Sequence, residues 1–344
     1  MRLAITEEVW FCHRCGESGD VITAVQWLEG LDNPKEAALF LLGETEKPRR
    51  ARKLRKVEPP RKRSPAEIEA EERKRLEAVK AAVKALIVAA QKGTGSRRKI
   101  WSYLTLTKEK AIPERVIREA LKRGFFYFLP DNPFQVKQAV CEHVPEDVLV
   151  NAGLLKEKVN QQTGEIRRYL AIIPRRPIMT PFRSRKCGIT GTEFKTINGA
   201  DPKSIAIGKF VPWWWKGETP DVLVTEGLTD FLSALGMGWR GCIFGLTGAP
   251  MLRRPEIIGL LRELRNQGRR IYLGLDNDGA GFKAVQAVFE AGLEVEGFFL
   301  PPEGKDLNDV LREGGRMEDI FQGGSYAEKY YAERYAKEAT RTIK

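Results

Sequence analysis

Between Asp221 and Leu311 short apolar runs alternate with amphipathic stretches, and the turns that follow the runs are acidic. The run Val222-Leu223-Val224 ends in Thr225-Glu226-Gly227, and Ile271-Tyr272-Leu273-Gly274 leads into Asp276-Asn277-Asp278-Gly279. A third run, Cys242 to Leu246, and an amphipathic stretch, Arg253 to Asn266, lie between them. Glu294 to Leu300 and then Lys305-Asp306-Leu307-Asn308-Asp309 follow. Apolar runs this short, bounded by turn residues, read as buried strands, and the longer periodic stretches read as helices. The order β-α-β-α-β-α-β predicts a parallel sheet with helices on both faces, an α/β fold. In such sheets ligands bind outside the carboxyl ends of the strands, which is where Glu226, Asp276 and Asp278 fall.

Carboxylates pushed together repel one another unless a cation neutralises them. Oxygen ligands alone suit Mg²⁺ or Mn²⁺ rather than zinc. Asp-Asn-Asp-Gly on its own also makes an ordinary tight turn. A calcium loop of the EF-hand type would need an oxygen ligand where Ala280 stands and a glutamate where Ala287 stands. The metal reading rests on the pairing: Glu-Gly after one strand, Asp-x-Asp-Gly after a later one, with a complete β-α unit between.

The rest of the 344-residue chain has room for two or three domains. Its net charge of +12 favours a polyanionic partner, nucleic acid first among them. Of the five cysteines only Cys12 and Cys15 are close together, which is no disulfide framework. Neither a signal peptide nor a membrane-length apolar run stands out, so no membrane association and a cytoplasmic location are expected.

Residues 1–43 form a first unit, in which Val9-Trp10-Phe11 reads as a strand entering the turn Cys12-His13-Arg14-Cys15. Turns of this kind wrap zinc, and redox sites share the spacing. A helix from Asp20 to Glu29 is expected next, with Val21, Val25 and Leu28 on one face. Residues 44–63 are a linker: from Lys47 to Arg63, ten of seventeen residues are Lys or Arg. It is either a solvated spacer or a basic arm that meets phosphates. Ser64-Pro65-Ala66-Glu67 signals a helix start, and residues 64–97 read as a helical connector. Residues 98–220 form the next unit, short helices first and then a strand region at 172–197. Trp213-Trp214-Trp215 reads as core cover, with base stacking as the other reading, because consecutive residues cannot share one face. The parallel-sheet unit spans 221–315, and 316–344 is given to a carboxyl-terminal helix, Gly324 to Lys344 being its clearest part.

Glu226-Gly227-Leu228-Thr229-Asp230, followed by Asp276-Asn277-Asp278-Gly279-Ala280-Gly281, resembles the Toprim domain of DnaG-type primases, type IA and II topoisomerases and some nucleases. The resemblance implies that Glu226, Asp276 and Asp278 are catalytic. It implies that Glu226, Asp230, Asp276, Asp278 and Asp306 hold Mg²⁺ or Mn²⁺. The second member of the primases' later acidic pair is an amide here, Asn308, with Asp309 one residue on. The stretch around Cys12 and Cys15 is similar to the second half of the primases' zinc ribbon, which implies zinc. The upstream cysteine and histidine that complete that site have no counterpart in this chain. Residues 98–220 resemble the amino-terminal half of the primase core, an α+β unit. There the resemblance makes Arg175, Arg176, Arg183, Arg185, Lys186 and Lys195 candidates for facing the nucleic acid.

The function implied is primase-like: RNA primers made on a single-stranded DNA template from nucleoside triphosphates. A replicative helicase is the implied protein partner, although Gly324–Lys344 is too short to be the family's helicase-binding domain. A plasmid, phage or mobile-element relative is expected. Two alternatives stay open, a metal-dependent Toprim nuclease and a non-catalytic DNA-binding accessory protein.

Overall fold

The computed structural model describes residues 3–5, 9–12, 18–29, 33–42, 64–92, 97–130, 132–160, 162–170, 176–197, 199 and 202–324. The chain divides into two units, Met1–Ser64 and Pro65–Lys344. In the first, β1 (Leu3–Ile5), β2 (Val9–Cys12) and β3 (Ser18–Asp20) form an antiparallel sheet in that order. Two helices follow, α1 (Val21–Glu29) and α2 (Pro34–Leu41). The Asp20 carboxylate accepts bonds from the Thr23 N–H and hydroxyl, which ties off the start of α1. Val21, assigned to an apolar face, is 54 % exposed. Cys12 is the last residue of β2, while its side chain, Cys15 and the basic segment 44–63 lie outside the described residues.

The second unit opens with α3 (Pro65–Lys92), which starts at the proline as the capping signal predicts. More than a connector, its second half is core: Ala78, Val79, Ala82, Val83, Leu86 and Ala89 are buried at helical spacing. Small side chains let it lie close to the sheet beneath. Next come α4 (Arg97–Thr105), α5 (Glu114–Lys122), β4 (Tyr127–Phe128), α6 (Pro133–Cys141) and α7 (Glu146–Asn151). A hairpin of β5 (Leu155–Val159) and β6 (Ile166–Leu170) leads to β7 (Ile178–Ser184), β8 (Gly188–Lys195) and β9 (Ser204–Gly208). The strands β4-β7-β8-β9 form an antiparallel sheet in that order, and α3 covers it. Gly208 ends this sheet at φ +78, where a Cβ would stand 2.7 Å from Val79 of α3 and 2.4 Å from the Thr190 carbonyl oxygen. Only glycine fits there.

The remaining elements are β10 (Trp213–Trp215), β11 (Thr219–Thr225), α8 (Leu228–Gly236), β12 (Gly241–Gly245), α9 (Pro255–Asn266), β13 (Ile271–Gly274), α10 (Gly279–Glu290), β14 (Gly297–Phe299), α11 (Leu307–Arg312) and β15 (Phe321–Gly323). They build one sheet in the order β10-β12-β11-β13-β14-β15. Its four inner strands are parallel, as the sequence predicts, and the two edge strands are antiparallel. Strand periodicity sorts the side chains onto two buried faces. Leu223, Ile243 and Tyr272 face α8, α11, α4 and α5, whereas Val222, Val224, Cys242, Phe244, Ile271 and Leu273 face α9 and α10. Two apolar faces explain why these strands read as continuous apolar runs.

At the edges of the sheet one expectation holds and one does not. Trp213 and Trp215 of β10 are buried on the first face and Trp214 is half-buried on the other, so the run is core cover. Within the stretch given to a carboxyl-terminal helix, Met317–Ile320 is a 3-10 turn and Phe321–Gly323 pairs with β14. Residues 325–344 lie outside the described residues.

Candidate metal centre

The strand order sets the site. The chain crosses from β11 to β12 on one side, then returns to β13 on the other, so a crevice opens at the carboxyl end of β11. Thr225 is level with Gly274 of β13 and Gly245 of β12. Glu226 therefore leaves the sheet beside Asp276. Its carboxylate accepts bonds from the Asp276 N–H at 3.0 Å and the Ala249 N–H at 3.1 Å, one on each oxygen. Two backbone donors on opposite sides of the crevice thus fix this side chain before any ligand arrives.

Asp230 stands one helical turn further on, in the first turn of α8, and is 7 % exposed. Asp276 is half-buried after β13, and Asp306 is the N-cap of α11. One carboxylate oxygen from each of these three lies within 4.8 Å of the other two. Asp278 stands at the rim. It is exposed, and one of its oxygens accepts from the Ala280 N–H at 2.8 Å and the Gly281 N–H at 2.9 Å, capping α10. The structure therefore gathers Asp230, Asp276 and Asp306, sets Glu226 beside them, and gives Asp278 a capping bond as well. Asp309 is occupied elsewhere. It forms a capping box with Asp306 and an ion pair with Arg312.

Burial and mutual repulsion leave their mark on the acids. Burial, then the Asp230 and Asp278 charges, push Glu226 up to about 7, against its two amide bonds. Burial also raises Asp230, with the Asp276 and Asp306 charges adding to it. Asp276 is raised by burial and then by Glu226, Asp306 and Asp278. Lys195 and Lys110 work against the rise at Asp230. Among the described residues, Asp230 Oδ1 is a buried oxygen with no hydrogen-bond partner. An orphaned carboxylate oxygen facing two further carboxylates is the donor set that a hard divalent cation takes. The residues present fit Mg²⁺ or Mn²⁺.

Asn277 and Asn308 build the site through their side-chain amide donors, and the buried Asn308 Oδ1, like Asp230 Oδ1, has no hydrogen-bond partner among the described residues. Asn277 is 4 % exposed, and its side-chain amide donates to the Pro301 carbonyl at 2.8 Å. Its backbone bonds Lys305 and Gly304. This clamp draws the loop before α11 down, and with it Asp306. Asn308, the amide in the later acidic pair, is 1 % exposed. It donates to the Lys110 carbonyl at 2.6 Å and to the Ser233 hydroxyl at 3.0 Å, joining α11 to α8 and to the α4–α5 loop. A carboxylate could make neither bond as a donor.

The basic candidates separate. Arg176 is 6 % exposed and donates through Nε and Nη2 to the Pro202 carbonyl, so it holds the fold and does not face a partner. Arg183, Arg185 and Lys186 are exposed at the β7–β8 turn, and Arg175 lies outside the described residues. Lys195 ends β8 at the acidic cluster, donating to the Thr229 hydroxyl at 3.1 Å. Sequence reasoning missed two neighbours. Lys110 stands next to Ala111, the one non-glycine residue with positive φ (54°) among the described residues. Tyr103 has a hydroxyl raised by burial and by the Glu109 and Asp306 charges. Both come from the α4–α5 region, and no local pattern connects them with acids more than a hundred residues away.

Residues 223–311 match the Toprim-like family. No curated protein matches the chain. The fold is similar to a DnaG primase catalytic domain bound to single-stranded DNA, at 19 % identity over 74 % of this chain and 84 % of that one, with a TM-score of 0.52. It is similar to a DnaG catalytic core at 18 % identity, 75 % and 79 % coverage and a TM-score of 0.50. It is similar to the RNA polymerase domain of Mycobacterium tuberculosis primase DnaG in complex with double-stranded DNA, at 17 % identity, 73 % and 80 % coverage and a TM-score of 0.50. The chain carries a Toprim-like domain at residues 223–311 and has the fold of a DnaG-type primase catalytic core.

Proposed function

We propose that this protein is a primase-like nucleotidyltransferase, joining ribonucleotides into short primers on single-stranded DNA. The carrying observation is the convergence of Asp230, Asp276 and Asp306, with Glu226 beside them, at the sheet's switch point. The fold shared with DnaG catalytic domains supports it, one of those being bound to single-stranded DNA. Asp230, Asp276 and Asp306 would hold the divalent cation, with Glu226 and Asp278 adjoining. Bound there, the cation would offset charge on a phosphoryl group in transfer.

The chain's own residues supply the rest. Each extension joins a 3′-hydroxyl oxygen to the α-phosphorus of a nucleoside triphosphate and releases pyrophosphate, so the hydroxyl proton must leave. Glu226, held in place by two backbone amides beside the three aspartates, is the acceptor we assign. Lys195 and Lys110 place positive charge beside the acids, where triphosphate oxygens gather.

The test combines purified protein, single-stranded DNA, labelled nucleotides and Mg²⁺ or Mn²⁺. Short RNA products lost in Asp276→Asn support the reading. Template cleavage without synthesis would make the protein a Toprim nuclease instead, and neither product would make it a binding protein.

A further inference from the structure

The antiparallel half of the second unit has a cavity of its own, about 880 Å³, between the end of α3, α4, α5 and β4. Its charged lining is entirely cationic: Arg97, Arg98 and Arg118. Trp101 and Tyr127 supply aromatic surface. The Arg118 guanidinium lies 4.9 Å from the centre of the Trp101 ring, and Glu114 holds that pair by accepting from both side chains. Arg183 Nη2 donates to the Tyr127 hydroxyl at 3.4 Å, so the exposed β7–β8 turn continues the cationic rim. Trp101 and Tyr103 lie two residues apart on α4 and so project from opposite sides of the helix. Tyr103 lies near Asp306, and Trp101 lines the cavity. This is a second site, separate from the carboxylates.

We propose that the cavity seats a nucleotide of single-stranded DNA. The base packs against the Trp101 ring and the guanidinium plane over it, and the flanking phosphates meet Arg97 and Arg98 on one side and Arg183 on the other. A volume of this size suits a nucleotide-sized ligand. A base can enter only when it is out of a duplex stack, which selects single strands. Cations on two elements flanking an aromatic floor serve a strand with a phosphate on each side of the base, and a free nucleotide uses only one of them. The choice of DNA as the strand rests on the primase-like reading above, and the site gives that reading a place where template is gripped away from the chemistry.

The experiment measures anisotropy of a fluorescein-labelled oligo(dT) with the whole protein in EDTA, at several salt concentrations. Trp101→Ala is expected to weaken binding about tenfold, the loss of one stacked base, and Trp101→Phe to restore most of it. Arg97→Gln with Arg98→Gln should weaken binding and lower the salt slope by about 1.4, two phosphate contacts at about 0.7 each. These arginines are exposed, so the double variant keeps the test open if Trp101→Ala fails to fold. Wild-type affinity and slope in the arginine variant would overturn the proposal, whatever the synthesis assay gives. Lost binding in the cavity variants of a protein that synthesises nothing would keep the site and overturn the enzymatic reading. Displacement of the oligonucleotide by dTMP at comparable concentration would make this a free-nucleotide site and overturn the strand assignment.

Discussion

In the crevice of the parallel sheet the gathered aspartates are largely taken out of water, and at the cavity of the antiparallel half the arginines stand in it. Asp230 is 7 % exposed and Asp276 is half-buried, yet both face other carboxylates. The Arg118 side chain is 70 % exposed and has a single carboxylate beside it. Like charges in a poorly solvated crevice cost free energy until a cation arrives, so that region is built around a small, hard, positive ligand. Cations in water cost little and gain by releasing counterions from a polyanion, so the other region suits a long, soft one. The same electrostatics, at two depths of burial, suits two kinds of ligand.

The comparison can be broken most directly at the acids. Glu226→Gln should lower synthesis about 10²- to 10⁴-fold, the usual worth of a positioned proton acceptor. Asp276→Asn or Asp278→Asn should abolish it. All three should bind oligo(dT) as the wild type does in EDTA. Loss of DNA binding in these variants would show that the two regions are not separate.

Asn308→Asp tests whether α11 wants another carboxylate or an amide. The variant loses the donors to Lys110 and Ser233 and adds a charge at a residue 1 % exposed. Loss of stability by about 1–3 kcal/mol in urea titration is expected. Tighter Mg²⁺ binding with unchanged stability would instead make position 308 an open ligand position.

Gly281→Ala and Gly279→Ala probe how closely α10 must approach. A Cβ at Gly281 would lie 2.0 Å from the Asp276 carbonyl oxygen and 3.2 Å from Glu226, whereas one at Gly279 meets nothing within 4 Å. The first should cost about 1–3 kcal/mol and weaken metal binding, and the second should do neither. Equal effects in calorimetry would remove the argument from close approach.

The smallest effect sharpens the comparison through pH. Glu226 titrates near 7 in the folded protein, and Asp230 and Asp276 are also raised, above an unfolded value of about 4. The folded, metal-free protein therefore holds protons that the unfolded chain has lost, and these groups subtract stability as pH rises from about 4 towards 7. Asp230→Asn should accordingly gain Tm over the wild type at pH 8 in EDTA, by roughly 2–4 °C for each kcal/mol of repulsion relieved. The gain should vanish at pH 5 and reverse in Mg²⁺. A gain that is the same at both pH values would mean that the acids do not repel as described. Arg97→Gln should show none of this dependence.

The sheet and its acidic turns were legible because strand and helix periods are local. Val222-Leu223-Val224 and Ile271-Tyr272-Leu273 announce strands buried on two faces, and an acid just past each must sit at the same end of a parallel sheet. The sequence alone determined the order of elements from β11 to β14, the start of α3 at Pro65, and Glu226, Asp276 and Asp278 as candidate acids, while the family resemblance added Asp230 and Asp306. Only the tertiary structure decided what each charge faces. Composition could not tell Arg176, buried on the Pro202 carbonyl, from Arg183 in solvent, or show that Lys195 reaches the acids. Nor could it show that Asn308 spends its amide on Lys110 and Ser233, or that Phe321–Gly323 adds an edge strand where a helix was expected. Burial and hydrogen-bond partners depend on contacts between residues far apart in the chain, and those exist only once the chain has folded.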